Sequence, residues 1–249
     1  MIVLKTTREL ALMREACRIS AGALKAAGEA VQPGVTTGEI DKIAYDYIIK
    51  QGATPNFLNL YGFPATACIS INDEVIHGIP SEKRVIQEGD IVSIDLGAKL
   101  EGYNGDNAAT FAAGKISPEA QRLCDVTRES LYEGISKALA GGRLGDIGYA
   151  IQSYCEKHGY GVVRSFTGHG IGKKLHEDPS VPNYGTPGRG VRLLPGMTIA
   201  IEPMINQGVP GVKTMSDGWT VKTADGKLSA HFEHTIAITS NGPVILTEL

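Results

Sequence analysis

Slid along itself by 107 residues, the chain matches Cys17 with Cys124, Leu24 with Leu131, Gly34 with Gly141, Gly38 with Gly145 and Ile40 with Ile147. The same shift matches Tyr47 with Tyr154, Gly52 with Gly159, Gly89 with Gly196 and Ile94 with Ile201. Any one such pair means little. One constant offset that carries identities from helix-like stretches into strand-like ones is the signature of an internal repeat. It predicts an α+β chain forming one domain over 1–249, built from two halves, approximately 1–110 and 111–249, related by a pseudo-twofold. Clefts between such halves are common places for ligands. The shift also lays Asp95 on Glu202, each following an alternating apolar strand.

Local patterns fill in the halves. Leu10, Met13, Cys17, Ala21 and Leu24 recur at helical spacing, predicting a helix over 6–31 that Pro33-Gly34 stops. Thr37 is the expected cap of a second helix over 38–51, ended by Gly52. A third helix begins at Ser117-Pro118-Glu119, and a fourth begins near Gly145 and ends at Gly159. The runs ACISIN, DIVSIDLGA, NAATFAA, VVRSFTGHG, MTIAIEPMI, GWTVKTADG, HFEHTIAITS and PVILTEL read as strands.

With 42% hydrophobic residues among 249, the chain can fill one large core or two fused halves. A net charge of −3 argues against a dominant contact with nucleic acid or an anionic membrane surface. The start MIVLKTTREL carries no apolar h-region, and no apolar run approaches the roughly 18–20 residues that span a bilayer. The four cysteines are scattered with no CxxC pair, as expected of reduced thiols in the cytoplasm.

The carboxylates stand out against this background. In VSIDL, Val92, Ile94 and Leu96 share one strand face while Ser93 and Asp95 take the other. A turn centred between Leu100 and Glu101 would set Asp95 opposite Asp106, with Cβ atoms about 4.5–5.5 Å apart. Two carboxylates that close repel unless a proton or cation lies between them. The plainer alternative is a pair of solvated strand-end aspartates. His169 is flanked by glycines in TGHGIGKKLHE, as if backbone or ligand must approach closely, and His176 follows seven residues on. Glu202 ends the apolar run TIAI before Pro203, and Glu233 leads into HTIAI. Neither carboxylate belongs buried on such a strand without a partner, whether a basic side chain or a metal. A shared cause for four carboxylates and one imidazole is one or two divalent ions. Such oxygen-rich ligation suits Mn, Fe, Co or Zn at five or six coordination. His77 alone would pass for a loop histidine.

Together, SINDEVIHGIP, IVSIDLG with GDNAATF, GHGIGKKLHEDP, IAIEPM and HFEHTI closely resemble the type I methionine aminopeptidases, in order and over essentially the whole chain. The resemblance implies the pita-bread fold, a curved antiparallel sheet covered by helices. It implies two divalent ions (Co, Mn, Fe or Zn): Asp95 chelating one, Asp106 and Glu233 bridging both, and His169 and Glu202 completing the second. A metal-bridging water or hydroxide would attack the scissile peptide, with Glu202 shuttling the proton. His176 would hold the carbonyl oxygen and His77 would contact the amide nitrogen. The substrate's free α-amine would meet a metal. Phe63, Cys68 and Trp219 would line the methionine pocket, although Leu60 and Leu175 stand where aromatic residues are often found.

The implied activity is removal of the initiator methionine from nascent proteins whose second residue is small, by a cytoplasmic monomer working in transient proximity to the ribosome, without a specific nucleic-acid or membrane partner. The 31 residues from Glu202 to Glu233 leave no room for the long insertion of type II enzymes. Two rivals share the fold: an Xaa-Pro aminopeptidase or prolidase, and a non-catalytic binding module.

Overall fold

The computed structural model describes residues 1–249. Capping sets the helices. α1 (Thr7–Glu29) and α2 (Thr37–Lys50) each follow a threonine whose hydroxyl accepts from the backbone N–H of a glutamate three residues on, while that glutamate accepts from the cap N–H. Thr36 rather than Thr37 is therefore the α2 cap, because Glu39 completes the box only from there. α3 (Pro118–Ser136) opens on Ser117 with proline in its first turn, and α4 (Leu144–Lys157) stops before Gly159, whose φ is +83°. α4 starts and ends 107 residues after α2, and α3 ends 107 residues after α1.

Nine strands form one antiparallel sheet: β1 (Thr54–Pro55), β2 (Ala67–Ile71), β3 (Ile91–Leu100), β4 (Tyr103–Ala112), β5 (Gly168–Gly170), β6 (Glu177–Val181), β7 (Thr198–Ile201), β8 (Glu233–Thr239) and β9 (Gly242–Ile245). The order is β1-β3-β4-β8-β7-β5-β6, with β2 also on β3 and β9 also on β8. The β3–β4 turn falls one residue later than expected. Glu101 and Gly102 both have positive φ, as a two-residue hairpin turn of matching twist requires, and Leu100 pairs with Tyr103. Asp95 therefore faces Ala108, Asp106 faces Gly97, and the two aspartates are diagonal neighbours on one face rather than directly opposed.

The other face of the sheet is apolar and carries the helices. Val92, Ile94 and Leu96 pack with Leu24 of α1 and with Ile40 and Ile48 of α2. Ile199, Ile201, Ile236 and Ile238 pack with Leu123 and Leu131 of α3 and with Ile147 and Ile151 of α4. Each half of the sheet thus has its own helix pair, and the alternation that buries these residues turns the acids away from the helices. Two small three-stranded sheets complete the fold. In one of them Glu74–Ile76 pairs with Val221–Thr223, bringing the His77 loop beside Trp219. No helix is long and apolar enough to cross a membrane.

Candidate active site

Five neighbouring strands each deliver one polar residue to the same region: Asp95 from β3, Asp106 from β4, Glu233 from β8, Glu202 directly after β7, and His169 from β5. Ligand atoms of Asp106, His169 and Glu233 lie within 4.8 Å of one another. His169 Nε2 is 3.5 Å from Asp106 Oδ2 and 3.9 Å from Glu202 Oε1. His169 Nδ1 lies 2.9 Å from the Gly170 carbonyl, which accepts from a protonated Nδ1 and turns Nε2 toward the carboxylates. The flanking glycines have a steric cause. A Cβ at 168 would meet the Ala200 carbonyl oxygen at 2.3 Å, and one at 170 would meet that of Asp178 at 2.0 Å.

The carboxylates are short of donors. Asp95 Oδ1, Asp106 Oδ1 and Glu233 Oε1 are buried with no hydrogen-bond partner. Burial, then repulsion from Asp106 and Glu202, holds the carboxyls of Asp95 and Glu233 well above the usual range. Burial raises Asp106 too, partly offset by His169. His169 stays above its ordinary value, because the Asp106 hydrogen bond and the charges of Asp106 and Glu202 outweigh its burial. Orphaned acceptors converging on one imidazole nitrogen fit a divalent cation, which would supply the missing charge to each of them.

Two further histidines face this cluster. Burial and the neighbouring His169 hold His176 down at about 4, so its ring is neutral at neutral pH. The His176 ring meets that of His169 edge to face at 4.5 Å and stacks on exposed Tyr61 at 5.9 Å. His77 has φ +60° and is also lowered, chiefly by burial. Its ring sits edge-on to Phe166 at 5.7 Å and to Trp219 at 6.3 Å. Next to it, Phe63 meets Trp219 edge to face at 5.1 Å. Cys68 pairs with Asp95 across β2 and β3, and burial with the nearby acids keeps it a thiol.

All ten residues singled out in the sequence line one cleft of about 430 Å³: Asp95, Asp106, His169, Glu202, Glu233, His77, His176, Phe63, Cys68 and Trp219. Leu60 and Leu175 line it as well. The sequence reading missed Phe57, Tyr61 and Phe166 in the wall, and His231 behind it. His231 is 1% exposed, and its Nε2 lies 3.6 Å from Glu202 Oε2. The signal for His231 is its place two residues before Glu233, where the chain leaves a small sheet and enters the large one.

Residues 11–240 match the model of metallopeptidase family M24. The chain is 56% identical to a methionine aminopeptidase of Clostridium acetobutylicum over 99% of both chains, and 53% identical to methionine aminopeptidase 1 of Bacillus subtilis over the full length of both. Among solved structures it is similar to a methionine aminopeptidase from Thermotoga maritima, at 44% identity and a TM-score of 0.98 over the whole of both chains. It is also similar to a prolidase from Pyrococcus horikoshii, at 26% identity and a TM-score of 0.78, covering 64% of that longer chain. The chain belongs to metallopeptidase family M24, with the pita-bread fold of its methionine aminopeptidases.

Proposed function

We propose that the chain removes the N-terminal methionine of nascent polypeptides whose second residue is small. The observation that carries this is the union, in one cleft, of a carboxylate–imidazole cluster short of positive charge with an apolar wall that includes Phe63, Cys68, Trp219, Leu60 and Leu175.

Asp95, Asp106, His169, Glu202 and Glu233 would hold two divalent ions, drawn from Co, Mn, Fe and Zn. When bound, the ions supply Lewis acidity at the scissile carbonyl and lower the pKa of a nucleophilic water. The chain's own groups do the rest. Glu202 Oε1 faces His169 at 3.9 Å and Oε2 faces His231 at 3.6 Å, and between the two rings the carboxylate would accept the proton of the attacking water. Neutral His176 donates an N–H to the carbonyl oxygen as charge develops there. His77, gripped by Phe166 and Trp219, contacts the amide nitrogen and assists its departure. Phe63, Cys68 and Trp219 take the methionine side chain, with Leu60 and Leu175 giving that pocket aliphatic walls.

The matching helix bounds support reading 1–110 and 111–249 as repeated units of one catalytic domain. We place the enzyme in the cytoplasm as a monomer meeting its substrates near the ribosome. A peptide panel tests the activity. Cleavage of Met-Ala-Ser but not Ala-Pro-Ser by the Mn(II)-loaded protein is expected, and the reverse preference would assign it to the prolidase-like enzymes instead.

A further inference from the structure

Lys5 is 172 residues from Glu177 in sequence and pairs with it inside the protein. Its Nζ donates to Glu177 Oε2 at 2.6 Å and to the Val3 carbonyl at 3.1 Å. The side chains of Lys5 and Glu177 are only 4% and 12% exposed. The Lys5 backbone N–H donates to Gly196 O at 2.7 Å, so the lysine is anchored at both ends. Glu177 Oε1 accepts from the backbone N–H of Lys174 at 3.1 Å. Gly172 leaves the room for this pair, since a Cβ there would lie 2.6 Å from Lys5 Cε and 2.7 Å from Glu177 Oε1. The ion pair therefore sits within the bend that runs from Gly170 of β5 to Glu177 of β6. His176 is the residue before Glu177. Asn104 grips the same bend, its Nδ2 donating to the carbonyls of Gly172 and Lys173.

A buried ion pair adds little net stability over an apolar pair of the same volume, because two charges must leave water. What it does impose is one geometry, and here that geometry belongs to the residue next in chain to His176. We propose that Lys5 is a positioning residue for the peptidase reaction: through Glu177 it fixes the bend that presents His176 to the scissile carbonyl. The inference rests on the reading of His176 as the group that binds that oxygen. Lys5 touches neither the metal ligands nor the methionine pocket, so its loss should fall on turnover rather than on binding.

The test uses the Mn(II)-loaded enzyme and Met-Ala-Ser. Lys5→Met should lower kcat about 10–100-fold, the effect of a small misplacement of a reacting group. KM should stay within about threefold, and Mn(II) affinity by calorimetry should be unchanged. Lys5→Met with Glu177→Gln removes the stranded charge, so Tm should return toward wild type while kcat stays low. Recovery of kcat together with Tm would show a purely structural pair and overturn the proposal. Should Lys5→Met alone fail to fold, the paired variant carries the same comparison. In a His176→Ala background Lys5→Met should cost no further kcat, and an equal loss in both backgrounds would equally overturn it. An unchanged kcat in His176→Ala itself would instead defeat the carbonyl-binding role of that histidine.

Discussion

Asp95 and Glu233 stand on either side of Ala108, one on β3 and one on β8, in a single row across the sheet. Asp106 lies two residues along β4 from that row, so three buried carboxyls share a small patch whose polar atoms lack donors. Without a cation this patch is a source of instability, and its sign can be worked out. Burial and the neighbouring acids raise the Glu233 carboxyl above its unfolded value, so the folded apo-protein binds that proton more readily than the unfolded chain. Its contribution to stability therefore grows as pH falls through the folded pKa. Glu233→Gln, a permanent mimic of the protonated acid, should raise the Tm of the EDTA-treated protein at pH 8. That gain should shrink on acidification toward pH 5. Thermal unfolding at the two pH values checks both parts, and an apo variant no more stable than wild type at pH 8 would contradict them.

Metal should reverse this order. Mn(II) binding to the folded state alone raises Tm by mass action, and Asp106 is one of the three residues whose ligand atoms lie within 4.8 Å of one another. Asp106→Ala should keep the fold, lose the Mn(II)-dependent rise in Tm and lose at least about 100-fold in turnover. Circular dichroism, calorimetric titration and the Met-Ala-Ser assay read the three separately. Full activity in this variant would remove the dinuclear proposal.

Much of this site could be read from the chain because strand alternation is a local property. Val92, Ile94 and Leu96 declare their burial, which leaves Asp95 on the other face wherever the strand sits in the sheet. The glycines around His169 likewise announce a close approach. What stayed hidden depends on register and on residues brought in from a distance. The β3–β4 turn lies one residue beyond the position expected from the sequence, because the hairpin selects the pair that tolerates positive φ, Glu101 and Gly102. Phe166 precedes the glycine segment without any periodic cue, and Lys5 meets Glu177 only through tertiary packing.

Trp219 is the only tryptophan in the chain, and it lines the cleft against Phe63 and His77. Intrinsic tryptophan emission is therefore a direct report on pocket occupancy. L-Methionine should change that emission saturably in the Mn(II)-loaded enzyme, and L-alanine at the same concentrations should not. Trp219→Phe should remove the signal and raise KM for Met-Ala-Ser. An emission indifferent to methionine would move the side-chain pocket elsewhere.

His231 and Glu202 supply a different test. The histidine is buried, its Nε2 has no hydrogen-bond partner, and the nearest carboxylate oxygen is Glu202 Oε2 at 3.6 Å. Groups that orient a metal ligand are commonly worth about 10–100-fold in affinity. His231→Ala should weaken Mn(II) binding by that order, whereas His231→Gln, which can still place a donor near Oε2, should retain more of it. Equal affinities in wild type and His231→Ala would show that Glu202 needs no such support.

Gly78 follows His77, and a Cβ there would lie 2.2 Å from the Ile69 carbonyl oxygen inside β2. Because the obstacle is backbone, the substitution cannot be absorbed by a rotamer change. The segment is also tied down, with Gly78 O accepting from Ile69 N–H at 2.8 Å and Gly78 N–H donating to Ser70 Oγ at 3.1 Å. Gly78→Ala should therefore push the whole turn away from β2 and carry the His77 ring off its seat between Phe166 and Trp219. Overpacking of this kind costs about 1–3 kcal/mol. The larger effect should be a kcat about 10–100-fold lower, with Mn(II) affinity retained because no ligand moves. Gly159→Ala is the matched control. It imposes backbone strain at φ +83° on the end of α4, but nothing lies within 4 Å of its Cβ and it does not line the cleft. It should lose about 1 kcal/mol of stability and keep its turnover. If Gly78→Ala behaved like Gly159→Ala, losing stability alone, the placement of His77 would not limit the reaction.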